Sequence, residues 1–147
     1  MQIKEFLSAS NVAIDVRASD KSGLLRELAA RAASALDLPA DAVASAIEKR
    51  DELGSTGIGG GAAMPHARMR EVEKAFGVLT RLGNPVAFHA IDGQPVDIVF
   101  LLLLPASSQL DQINALAAVA RKLRDTAVLR KLRGAISATE LYRGITE

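Results

Sequence analysis

The chain has 147 residues, a net charge of +1 from 18 basic and 17 acidic residues, and no cysteine. Its 49% hydrophobic and 24% charged residues give the balance of a folded globular chain, at a length near the commonest for one domain. Disulfide frameworks, thiolate metal sites and cysteine nucleophiles are excluded, and the near-neutral charge argues against global attraction to nucleic acid or a membrane surface.

The opening residues carry Lys4 and Glu5 and no apolar signal-peptide core, so the expectation is a bacterial-type cytoplasmic protein without membrane insertion. Residues 11–16 read as a strand, with Val12, Ile14 and Val16 alternating against polar or small neighbours. Ser19 and Asp20 are helix caps for a stripe of Leu24, Leu25, Leu28, Ala32, Ala35 and Leu36. Leu38-Pro39 ends that helix and Pro39 opens a second, with Val43, Ala46, Ile47 and Arg50 on one face and Gly54 as its cap. Arg50 thus lies in the last turn in line with apolar residues. From spacing alone it either snorkels and caps the helix carbonyls or points into the body of the protein.

Residues 54–66, GSTGIGGGAAMPH, place five glycines in eight positions, a loop whose backbone can approach a ligand closely and take positive φ. Gly57 to Ala62 even matches the G-x-G-x-x-A of dinucleotide sites. That pattern needs a strand before it and a helix after it; here a helix precedes, Pro65 stops any helix beyond, and the Lys-Ser/Thr of a P-loop is absent. Downstream, residues 75–82 read as a strand, Asn84-Pro85 as a turn, and Asp92-Gly93-Gln94-Pro95 as a second turn. Residues 96–104 form a continuous apolar run that fits a central strand buried on both faces, far short of the ~18 residues of a membrane helix. Ser107 or Ser108 caps a helix turning Leu110, Ile113, Leu116, Ala117, Ala120 and Leu123 inward, and shorter helices follow over 127–132 and 139–144. The pattern predicts an α/β fold: one domain over 1–147, a mixed sheet flanked by helices on both faces.

The two histidines, His66 and His89, are 23 residues apart, which is no zinc spacing, and no G-x-S-x-G elbow is present. His66 closes the glycine segment, with Arg50 upstream and Arg68 two residues on. A neutral imidazole can attack phosphorus while cations and backbone amides hold the phosphoryl oxygens. Taken alone, a histidine at a loop end is as readily an ordinary surface residue. His89 alternates with Phe88 and Ala90 and reads as exposed. The cations Arg121, Lys122, Arg124, Arg130, Lys131, Arg133 and Arg143 suit either a docking patch for an acidic partner or a solvated helix face. With one nearby aromatic, Tyr142, and no DNA-binding motif, the solvated face is favoured and no nucleic-acid partner is expected.

The run Arg50-Asp51-Glu52-Leu53-Gly54-Ser55-Thr56-Gly57-Ile58-Gly59, followed by Ala63-Met64-Pro65-His66, resembles the signature of the fructose/mannitol-type enzyme IIA of the bacterial phosphotransferase system. The stretch from Phe88 to Asp97 is most similar to the nitrogen-regulatory branch, and the resemblance continues to Glu140-Leu141-Tyr142. It implies a mixed sheet flanked by helices, with His66 accepting a phosphoryl group from a histidine phosphocarrier protein and Arg50 neutralising its charge. Ser55, Thr56 and Gly57 are then candidate phosphoryl contacts and Arg68 a candidate partner contact. No metal or organic cofactor is expected, because donor and acceptor are both histidines. Nitrogen-regulatory members use their phosphorylation state to control partners such as potassium transporters or sensor kinases; sugar-transporting members pass the group to an enzyme IIB.

Gln112 stands where the family usually carries a second active-site histidine. An amide can donate a hydrogen bond to a phosphoryl oxygen but cannot become a cation near neutral pH. Ala67 and Gly60 also depart from the family, at positions often Gly and, in nitrogen-type members, Asn. Three readings follow: a nitrogen-regulatory phosphoryl carrier, a sugar-uptake component serving an enzyme IIB, and a binding-only regulator that has lost efficient transfer.

Overall fold

The computed structural model describes Met1–Glu147. Two 3-10 turns, Ile3–Glu5 and Ala9–Asn11, precede strand β1 (Val12–Val16) and the helices α1 (Lys21–Leu36) and α2 (Ala40–Glu52). Asp20 caps α1, its Oδ1 accepting from the Gly23 amide at 2.8 Å. The helix ends where Asp37 turns left-handed (φ 56°), and Pro39 takes the N-cap position of α2.

The glycine segment is not a plain loop. It holds β2 (Gly57–Gly59) and β3 (Ala62–Ala63), and β4 (His66–Met69) begins at the histidine itself. Then come β5 (Phe76–Val86), β6 (Val96–Pro105), α3 (Gln109–Leu123), α4 (Thr126–Gly134) and α5 (Ala138–Thr146). The turn expected at Asn84-Pro85 is absent, since both residues lie inside β5. The ladder absorbs them as a bulge: Arg81 to Val86 on β5 faces only Ile98 to Val96 on β6.

The sheet runs β1-β5-β6-β3-β2, with β4 also paired to β6. β5 is antiparallel to β6, whereas β1 runs parallel to β5, and β3 and β4 run parallel to β6. Ala62 faces Ile98, Ala63 faces Val99 and His66 faces Leu102, so the register holds across Met64-Pro65. In effect β3 and β4 are one strand, interrupted just before the histidine.

Helices cover both faces, as the sequence predicts. On one face α1 and α2 pack Leu24, Leu28, Val43 and Ile47 against Val99, Leu101 and Leu103. On the other, α3, α4 and α5 pack Val119, Leu132, Leu141 and Ile145 against Phe100, Leu102 and Leu104. The alternation from Ile98 to Leu104 feeds both layers, and each fully buried Leu or Phe contributes about 1.5–3 kcal/mol. One expectation holds only in part, since Leu116, Ala120 and Leu123 do pack inward. α3 turns Gln112, Ala115, Ala118, Val119 and Leu123 inward, leaving Leu110, Ile113 and Ala117 exposed. Apolar residues surround this helix, so periodicity alone does not choose a face; the small alanines seat it close to the sheet.

No helix is long and apolar enough to cross a membrane.

Candidate functional site

His66 sits at the start of β4, at the sheet edge between the end of α2 and the start of α3. Its backbone is fixed from both sides: Pro65 O accepts from the Leu102 amide at 2.9 Å, and the Met64 amide donates to Thr56 O at 2.9 Å. The side chain is half-buried, with Nδ1 2.9 Å from Met64 O. A carbonyl only accepts, so Nδ1 carries the proton and Nε2 keeps the free lone pair. Burial lowers the pKa of His66 most, the Met64 bond opposes it, and the charges of Arg50 and Arg68 lower it further. The imidazole is therefore held neutral and nucleophilic.

A cleft of about 480 Å³ opens beside it, lined by Lys49, Arg50 and Leu53 from α2 and its end, Arg68 from β4, and Gln112 and Leu116 from α3. Three cations and no carboxylate line this space. Such a cleft suits a dianionic group held by charge-assisted bonds. Arg50 lines the cleft, and its Nη1 donates to Gly54 O at 3.0 Å, a carbonyl just past the helix end rather than one of the helix's own.

Gln112 is buried rather than solvated, and its Nε2 donates to Pro105 O at 2.7 Å. That bond ties the first turns of α3 to the end of β6 and uses one amide proton, leaving the second. On the same helix Leu110 and Ile113 are exposed, and the exposed Leu53 lines the cleft from the end of α2.

The other expected contacts lie elsewhere. The Ser55 hydroxyl donates to Phe88 O at 2.7 Å and accepts from the Gly57 amide at 3.2 Å, which engages both groups structurally. Thr56 is buried with its hydroxyl unpaired, and Gly57 packs so tightly on Ala90 that a Cβ would stand 2.7 Å from the Ala90 Cβ. None of the three lines the cleft. They belong to the hairpin before the histidine, where Thr56 O accepts from the Met64 amide and Gly57 pairs with Ala63. His89 is exposed, as expected, in a left-handed conformation (φ 55°).

Sequence reasoning missed Lys49, although it adjoins Arg50, and the Met64 carbonyl, for which no side-chain signal exists. It also turned Leu110 and Ile113 inward, where the rotation of α3 leaves them exposed.

The model of the phosphoenolpyruvate-dependent sugar phosphotransferase system EIIA 2 family matches residues 5–147. The chain belongs to this EIIA family. A nitrogen regulatory protein of Bradyrhizobium diazoefficiens is 39% identical over 142 residues, covering 97% of this chain and 93% of that protein. One of Escherichia coli is 40% identical over 148 residues, covering 100% and 91%. The crystal structure of nitrogen regulatory protein IIA-Ntr from Neisseria meningitidis superposes with a TM-score of 0.93 at 32% identity, covering 98% of this chain and 99% of that one. The Escherichia coli mannitol IIA, at 19% identity and a TM-score of 0.79, shares the fold. Within the EIIA family this chain is thus most like the nitrogen-regulatory branch.

Proposed function

We propose that the protein, acting as one enzyme IIA unit over residues 1–147 in the bacterial cytoplasm, is a phosphoryl carrier of the nitrogen-related phosphotransferase system. The observation that carries this reading is the state of His66: Nδ1–H is held by Met64 O, and the imidazole borders a cleft of three cations and no carboxylate.

The donor is the phosphohistidine of a phosphocarrier protein. The Nε2 lone pair of His66 attacks phosphorus in line as the donor's P–N bond breaks, and the bonding pair returns to the donor imidazole. His66 keeps its Nδ1 proton throughout, so no base is needed to take one. Arg50 and Lys49 offset the charge of the phosphoryl oxygens, and the free Gln112 amide proton is within the same cleft to donate to one of them. The exposed Leu53 at the cleft, with the exposed Leu110 and Ile113 of α3, is the apolar surface on which the phosphocarrier seats and excludes water, and Arg68 is a charged contact from the cleft wall. The phosphorylated and free forms then regulate partner proteins, of the kind represented by potassium transporters or sensor kinases.

The test is intact-protein mass spectrometry after incubation with phosphoenolpyruvate, enzyme I and the charged phosphocarrier. The expected result is an acid-labile gain of one phosphoryl group that His66→Ala abolishes. No gain, with the phosphocarrier shown to be charged, refutes phosphoryl transfer. It would leave the binding-only regulator, which the neutral Gln112 amide in place of a second cationic histidine favours.

A further inference from the structure

Lys21, the first residue of α1, lies outside every motif discussed above. Its ammonium is 2.9 Å from Asp51 Oδ2 and 4.5 Å from the centroid of the Phe88 ring. The Lys21 and Asp51 side chains are only 14% and 20% exposed, and Phe88 is wholly buried. A largely dehydrated ion pair of this kind adds little net stability over apolar residues of similar volume, because lost hydration offsets the attraction. Asp51 Oδ1, moreover, is buried without a hydrogen-bond partner, a further cost. What such a pair does supply is position.

Asp51 directly follows Arg50 in the last turn of α2. Phe88, beneath the ammonium, offers its carbonyl to Ser55 Oγ, which in turn accepts from the Gly57 amide. One cation therefore meets both the helix end that carries Arg50 and the segment that braces the glycine hairpin behind His66. Lys21 and Asp51 line one surface cavity, whose remaining charged or titratable groups are Asp20, Glu48, Glu52 and His89.

We propose that Lys21 is a positioning residue for phosphoryl transfer: through Asp51 and the Phe88 ring it holds the Arg50 guanidinium at the His66 cleft. This rests on the reading of His66 as phosphoryl acceptor, so the test includes a measurement that needs no phosphoryl donor. That measurement is the NMR titration of the His66 imidazole, whose pKa Arg50 helps to lower.

In Lys21→Met the titration midpoint is expected to rise toward the ordinary imidazole value. It rises equally in Lys21→Met/Asp51→Asn, which leaves no unpaired buried charge, and stays in place in Lys21→Arg, which keeps the cation. In an Arg50→Ala background Lys21→Met adds no further rise, which separates displacement of Arg50 from loss of the Lys21 charge itself. The rate constant for phosphoryl acceptance falls on the order of tenfold in Lys21→Met, with KM for the phosphocarrier nearly unchanged, as for a displacement of less than an ångström.

An unchanged His66 midpoint in the folded Lys21→Met and double variants overturns the proposal. So does an equal fold-loss of rate in the Arg50→Ala background. If Lys21→Met fails to fold, the double variant and Lys21→Arg carry the same comparison. A wild-type protein that accepts no phosphoryl group overturns the reading of the site instead, and the titration then shows whether Lys21 holds Arg50 all the same.

Discussion

Burial, and then the charges of Arg50 and Arg68, hold His66 below the ordinary imidazole pKa against the opposing Met64 bond. The neutral form, the one that attacks in the proposed transfer, therefore persists to lower pH than in an exposed histidine. The acceptance rate is expected to be flat through neutrality and to fall only below that lowered value; Arg50→Ala moves the falling edge to higher pH, as a pH–rate profile would register. Stability follows the same protons. Between the lowered folded value and the ordinary unfolded one, the unfolded chain binds more protons, so stability drops as pH falls through the unfolded value, and the loss is complete below the folded one. His66→Ala removes that part of the acid sensitivity, visible as a urea midpoint that declines less from neutral to mildly acidic pH. Gln112 acts differently, since its amide satisfies a buried carbonyl. Gln112→Ala is expected to cost about 1–3 kcal/mol in urea unfolding, because Pro105 O is left unpaired.

Among the elements, α1, α2 and β6 were legible because local signals agreed: a capping Asp20, a proline at the start of α2, and an unbroken apolar run. The hairpin β2–β3 was not, since glycines have low strand propensity and its pairing partner, β6, lies more than thirty residues away. The three positive-φ glycines Gly59, Gly60 and Gly61 make its turn, and the tip is held from outside: Gly60 N donates to Asp92 Oδ2, and Gly60 O accepts from Arg133, itself paired with Asp97. Gly61→Ala should be felt here twice, through strain at φ 81° and through contact of the new Cβ with Arg133. We expect a loss of about 1–3 kcal/mol by urea unfolding. Arg81 does comparable work for α4, its Nη1 donating to the carbonyls of Leu132, Arg133 and Ala135 at the helix end. In the candidate site, His66 and Arg50 were legible as residue types at motif spacing. Gln112 joined them only through the family resemblance, because apolar periodicity turns a different face of α3 toward the sheet.

At the scale of the whole molecule, the two apolar layers share one strand. Leu102 and Leu103 are neighbours in β6, yet one belongs to the α3–α5 layer and the other to the α1–α2 layer. Neither layer can open without exposing the other's partner, so unfolding is expected to be a single transition. Leu102→Ala and Leu103→Ala should each cost about 2–5 kcal/mol and shift the same transition, with far-UV dichroism and Tyr142 fluorescence coinciding. Two separate transitions would show that the layers are independent.

The bond that orients His66 runs to the backbone oxygen of Met64, and a backbone oxygen has no codon. No single substitution can delete it, so in the proposed transfer this half of the activation of His66 is shielded from point mutation in a way that Arg50 and the imidazole are not. A saturation scan of the chain should find Met64 tolerant of apolar replacements that fill the same space, but not of proline, which lacks the amide donated to Thr56 O. Inactivating changes should instead collect at His66, at Arg50 and at the glycines whose backbone angles set where that oxygen stands.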